Sequence, residues 1–226
     1  MPADTTVDDT TTTAVIPTGT AAPPAGMLLA LAGTAPELMT CRPGRAREQG
    51  PDPEGTLLIG YGDSAEVAQY GARPGWAVHA PGHPDEVRRI LLRSAADGER
   101  AYIHVSARSN AEPHATTTEG FEVVREGRAG VVIAVGATLD PVLRATAGFD
   151  LTVLYAVTIR PFDTIGLRTA VLAAEHPDVI LVEPYPHSAS AHSVAETLTH
   201  VPHRLLTLGG GPDETSIAAR VRDFMR

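Results

Sequence analysis

The chain contains no lysine, and all 18 of its basic residues are arginines. Without a lysine amine there is no Schiff base, no lysine-anchored pyridoxal phosphate and no P-loop lysine for nucleotide hydrolysis. Cysteine is nearly as scarce. A single Cys41 excludes an internal disulfide framework and fits a reducing, cytoplasmic setting. No apolar run reaches the roughly 18 residues of a membrane span. The first residues carry Asp4, Asp8 and Asp9 but no basic side chain, so the charged start of a secretory signal is not expected. The formal charge of −9 opposes a nucleic-acid backbone rather than attracting it.

What remains is an ordinary globular composition, 43% hydrophobic and 20% charged. Its 226 residues suffice for one large domain or two small ones. Residues 1–26 are rich in Thr, Ala, Pro and Asp and bury too little to offset their ordering entropy, so a disordered tail is predicted. Met27–Thr34 reads as a short helix, and 42–55 as a polar surface loop.

From Thr56 onward short apolar runs alternate with helix-like stretches. Strands are predicted at 56–61, 76–80, 101–106, 130–136, 151–157, 178–183 and 203–208. Helices are predicted at 84–96, 139–147, 163–175, 188–199 and 213–225, the first with Val87, Ile90, Leu91 and Ser94 on one face. This rhythm implies βαβ units and α/β architecture, with mainly parallel sheets flanked by helices. A polar stretch, ARSNAEPHATTTEG at 107–120, reads as a linker. The expected organisation is an α/β segment over 27–107, a linker at 108–119 and a second α/β domain over 120–226.

The order of several motifs carries a family resemblance. Pro74-Gly75-Trp76, Pro81, Asp85-Glu86 and Tyr102-Ile103-His104-Val105-Ser106 resemble the end of the pyrimidine-binding domain of transketolases and 1-deoxyxylulose-5-phosphate synthases. The segments EGFEVVREGRAGVVIAVGATLDPVL, TIRPFDTIGLRTAV and DVILVEPYPHSASAHSVAETL are similar to successive parts of the same family's C-terminal domain. Together these matches span about 56–226. The resemblance implies a transketolase C-terminal-like domain preceded by a shortened pyrimidine-domain remnant.

It also implies thiamine diphosphate and magnesium held through a partner chain, since the family's Gly-Asp-Gly…Asn motif is absent. No Gly-x-Thr-His motif precedes Glu66, and no side chain stands out as the acid that activates the thiamine ring, so the catalytic residues stay unassigned. Tyr185 stands where the family has a histidine, and Ser188-Ala189-Ser190-Ala191-His192 replaces a glycine-rich turn. Two readings follow. One is a C-terminal subunit of a two-carbon ketol transferase, inactive alone and oligomeric with itself or with a diphosphate-binding subunit. The other is a degenerate, non-catalytic module for assembly or regulation.

Arg108 and His104 are the substrate contacts that the resemblance implies, the arginine because its planar fork suits a sugar phosphate. His187 and His192 follow a strand's carboxyl end, where α/β sheets place ligands, and are candidates for a ligand loop. No metal site is expected. His79 and His83 straddle Pro81-Gly82, and His200 and His203 straddle Pro202, neither at helical ligand spacing. GYGDSAE (60–66) and GGGPDET (209–215) read as plain strand-to-helix turns.

Overall fold

The computed structural model describes residues 14–15, 55–61 and 66–226. Among the described residues, ten strands fall into two five-stranded sheets. The first holds β1 (Ala14–Val15), β2 (Leu57–Tyr61), β3 (Ala77–His79), β4 (Ala101–Val105) and β8 (Thr158–Arg160), in the order β1-β2-β4-β3-β8. The second holds β5 (Glu122–Arg125), β6 (Gly130–Val135), β7 (Leu151–Ala156), β9 (Asp178–Val182) and β10 (Arg204–Leu208), in the order β10-β9-β6-β7-β5. All pairings are parallel except those of the edge strands β8 and β5. The fold is thus the mainly parallel α/β arrangement that the alternating runs predict.

Helices α1 (Glu66–Gly71), α2 (Pro84–Ala96), α3 (Leu139–Ala145), α4 (Thr164–Ala173), α5 (Ala191–Thr197) and α6 (Glu214–Phe224) flank the sheets. Burial on both faces explains the uninterrupted apolar strands. Along β6, Val132 and Ala134 share a core with Leu139 and Val142 of α3 and Ile217 and Val221 of α6. Val131, Ile133 and Val135 belong instead to the core of Leu167 and Val171 of α4 and Val194 of α5.

Local chemistry sets the helix starts. His83 caps α2 by accepting from the Asp85 N–H, Pro84 sits in the first turn, and Glu86 reaches back to the His83 N–H. Asp163 and Asp213 cap α4 and α6, accepting at 2.8 Å from Gly166 and Ser216. The predicted inner face of α2, Val87, Ile90, Leu91 and Ser94, is buried.

Three elements were not expected: β5, β8 and the two-residue β1, which lies inside the segment predicted to be a disordered tail, whereas the short α1 begins where the strand-to-helix turn read at 60–66 would start it. Strand β8 follows β7 after one residue yet leaves the second sheet to pair with β3 of the first. The predictions for Met27–Thr34, for most of the loop at 42–55 and for Cys41 lie outside the described residues.

The polar stretch between β4 and β5 is irregular but pinned. Glu86 is 1% exposed, and its carboxylate accepts from the N–H groups of Gly82, His83, His114 and Ala115 and from the Tyr155 hydroxyl at 2.7 Å. One side chain of α2 therefore holds its own helix start, the connecting segment and β7 of the other sheet. Removing it strands several buried donors, each costing roughly 1–3 kcal/mol. Glu86→Ala should lower unfolding free energy by at least about 3 kcal/mol, read as a lower urea midpoint at unchanged slope.

Candidate functional site at the carboxyl ends of the two sheets

The carboxyl ends of the two parallel sheets meet. Ala80–Gly82, just past β3, lies against Gly136, just past β6. A Cβ on Gly136 would stand 2.5 Å from the Ala80 carbonyl oxygen, and one on Gly82 would stand 2.6 Å from the Gly136 backbone. Gly136 also has a φ of 56°, so glycine satisfies both the close approach and the left-handed turn there. Asn110, 3% exposed, bridges the junction by donating from Nδ2 to the Gly136 carbonyl at 3.1 Å, while its own N–H donates to Gly82.

A second set of contacts crosses the same junction from β4. His104 is buried, and its ring meets Tyr185 edge-on with centroids 5.4 Å apart. Arg108 is exposed on the loop after β4, where its guanidinium donates to the Gly211 carbonyl at 2.8 Å. The loops after β9 and β10 are themselves joined. Gly210 and Gly211 donate to the carbonyls of Tyr185 and Glu183, at 2.7 and 3.2 Å. In the second sheet β7 lies to one side of β6 and β9 to the other, so the strand order reverses between β6 and β9. Ligands of open α/β sheets occupy the carboxyl ends at such a point.

Of the sequence-predicted residues, His104 and Arg108 reach this junction together. His187 and His192 lie on the loop after β9 and on α5, both exposed. The glycines of GGGPDET do more than turn the chain, since they receive the arginine and pack on the neighbouring loop.

Sequence reasoning missed the most buried chemistry. Glu183 is 1% exposed and accepts from the Tyr185 hydroxyl at 2.9 Å, the Ser190 N–H at 3.1 Å and the Ser188 hydroxyl at 2.5 Å. Burial pushes this carboxyl above its ordinary range, and the hydrogen bonds from Ser188, Ser190 and Tyr185 oppose that rise only in part. Burial, with the adjacent Glu183, also pushes the Tyr185 hydroxyl well up. The available signal was a strand, VILV, running directly into an acid and a Pro-Tyr-Pro turn.

A separate cleft of about 670 Å³ opens beside the amino end of β3, lined by Trp76, Glu99, Phe162, Thr164 and Glu196 among others. Behind it His79 bonds Thr158 on β8 at 2.8 Å and lies 3.4 Å from Glu99. The hydrogen bond to His79 holds the Glu99 carboxyl below its ordinary value. None of the sequence-predicted site residues lines this cleft. Among the described residues no three His, Cys, Asp or Glu side chains converge as a metal site. No helix there is long and apolar enough to cross a membrane.

Two sheets in these strand orders, joined at their carboxyl ends, make a transketolase-like α/β fold, resembling the C-terminal portion of that family. A split-gene transketolase, in an inactive β4 tetramer, superimposes with a TM-score of 0.66 at 16% identity, over 76% of this chain and 66% of that one. A 2-oxoglutarate:ferredoxin oxidoreductase from Magnetococcus marinus superimposes with a TM-score of 0.56 at 9% identity, over 95% of this chain and 53% of that one. In sequence, the chain is 43% identical over 168 residues to an uncharacterized 33.6 kDa protein in the fasciation locus of Rhodococcoides fascians. That match takes in 69% of this chain and 54% of the relative, so the chain spans about half the relative's length. A 64-residue stretch is 36% identical to the 1-deoxy-D-xylulose-5-phosphate synthase of Thermotoga petrophila, 28% of this chain and 10% of that enzyme. No family model matches the sequence.

The glycine turn is open to a direct test. A Cβ on Gly209 would lie 2.8 Å from the Tyr185 carbonyl and 2.9 Å from that of Pro186, whereas one on Gly148 would meet nothing within 4 Å. Gly209→Ala should cost about 1–3 kcal/mol through this backbone clash. Gly148→Ala, compared with it by thermal denaturation, should be close to neutral.

Proposed function

We propose that this chain is the C-terminal, transketolase-like part of a thiamine-diphosphate-dependent complex that transfers two-carbon ketol units, with the diphosphate-binding domain supplied by a partner chain. The observation that carries the reading is the superposition of 76% of this chain on a split-gene transketolase. The local sequence match to a 1-deoxyxylulose-5-phosphate synthase supports the same direction.

The described residues do not fit a metal-diphosphate site, since no carboxylate cluster converges. In this reading that group belongs to the partner. This chain's part is to bind and orient. Arg108 is exposed at the rim with one guanidinium nitrogen on the Gly211 carbonyl, which holds the fork while its remaining donors are left to take a sugar phosphate. His104, buried on β4, packs edge-on against Tyr185 at the same junction. His187 and His192 are exposed along the neighbouring loop and helix, within the same carboxyl-end region.

The test is reconstitution. The chain is mixed with candidate diphosphate-binding subunits, thiamine diphosphate and magnesium, and complex formation and ketol transfer from a ketose phosphate to an aldehyde are measured. Activity should appear only with both proteins present. Arg108→Ala should raise KM for the phosphorylated ketose by about 10- to 100-fold, the loss of one charge-assisted contact, while leaving a non-phosphorylated ketose nearly unaffected. Transfer by this chain alone would overturn the need for a partner. Failure of every candidate to bind, or activity unchanged on omitting the chain, would leave the module as an assembly or regulatory element.

A further inference from the structure

The amino end of the first sheet carries charged side chains that the rest of the fold leaves uncommitted. They line the cleft of about 670 Å³ beside β3, a size within the roughly 300–1,000 Å³ of small-molecule sites. Trp76, Ile159 and Phe162 give it an apolar wall, and Glu99, Glu196 and Arg160 give it charge. Glu99 lies two residues before β4, whereas Arg108 follows the far end of that strand. The cleft therefore opens at the opposite end of β4 from the rim at the sheet junction.

Glu99 is a carboxylate set in place by buried donors. The Thr158 hydroxyl gives its only proton to the Thr118 carbonyl, so it can only accept from His79. Nδ1 of His79 is thus the donor in that 2.8 Å bond, and the ring is held with Nε2 3.4 Å from Glu99 Oε2. Ser94 donates to the same oxygen at 2.7 Å. His79 and Ser94 are both buried. The bond to His79, and after it that from Ser94, hold the carboxyl below its ordinary value against the opposing effect of burial. Oε2 is therefore fixed and the group ionised, while Oε1 accepts from none of the described residues.

The other two charges come from separate elements, Glu196 from α5 and Arg160 from the end of β8. Both residues are exposed, and among the described residues neither enters an ion pair. Two carboxylates, one guanidinium and an aromatic wall narrow the chemistry of an occupant. A phosphate or a simple carboxylate would meet two like charges, and a diamine would meet the arginine. A molecule with one ammonium and one carboxylate satisfies both signs, and a ring on it packs against Trp76 and Phe162.

We propose that this cleft binds a zwitterionic amino acid with an aromatic side chain, its ammonium taken by Glu99 and Glu196 and its carboxylate by Arg160. The site is independent of the ketol-transfer reading, because none of its residues belongs to the rim of Arg108.

Trp76 is the chain's sole tryptophan, so its emission reports on this cleft. The test titrates the full chain with L-phenylalanine and with its two singly charged relatives, phenethylamine and 3-phenylpropanoate. L-Phenylalanine should change the emission saturably, and each relative should bind about tenfold more weakly, the loss of one charge-assisted contact. Glu99→Gln should weaken L-phenylalanine about tenfold and abolish its advantage over 3-phenylpropanoate. Arg160→Gln should abolish its advantage over phenethylamine. If Glu99→Gln does not fold, the exposed Glu196→Gln and Arg160→Gln decide. The site is overturned if L-phenylalanine gives no saturable change up to about 10 mM, if the three probes bind alike, or if every folded variant binds as the wild type does.

Discussion

The five-donor site on Glu86 is the constraint on which the arrangement of the two sheets depends. A carboxylate at the start of a helix is ordinarily a modest capping device, stabilising backbone donors by about 1 kcal/mol. Here the same side chain closes its own capping box with one oxygen and takes the His114 and Ala115 amides with the other. Tyr155 completes the shell from the second sheet, and its hydroxyl is held far above the normal range by burial and by the Glu86 charge. The tyrosine therefore stays a donor throughout the working range. Helix start, connecting segment and second sheet are thereby tied to one point.

That tie explains why a segment as polar as 107–120 is so well fastened. Asn110, Ala115 and Thr118 are buried within it, and Thr118 accepts from the Thr158 hydroxyl on β8. The stretch behaves less as a linker between independent bodies than as mortar between two sheet ends. Strand β8 works in the same sense from the other direction, since it departs from the second sheet and extends the first. With the backbones at Gly82 and Gly136 in near contact, the carboxyl ends of the parallel strands are forced together. The loops that could carry function have one place to converge.

How much of this was legible in the sequence depended on the range of the interaction. Apolar runs of strand length flanked by capped amphipathic helices gave the strand and helix positions to within a residue or two for most elements after Thr56, because burial on both faces imposes that pattern locally. Strands β5 and β8 escaped notice because they are short edges: the EVVR of β5 is half exposed, and the TIR of β8 carries too few residues for any periodicity. The candidate site divided in the same way. Arg108 and His104 were picked out by motif order, and their side chains contact Gly211 and Tyr185 at the sheet junction. Glu86 was visible only as a helix-start acid, and Glu183 only as the end of a strand, because their donors come from residues two to 69 positions away.

The position of Tyr185 bears on what the rim can do. The family resemblance puts a histidine there, a residue able to exchange protons near neutrality. The tyrosine instead buries its hydroxyl against Glu183 and turns its ring to His104. A hydroxyl held that far above its normal range serves as a fixed donor to the neighbouring acid. The substitution thus removes from this position a ring able to exchange protons near neutrality and puts a buried hydroxyl donor in its place.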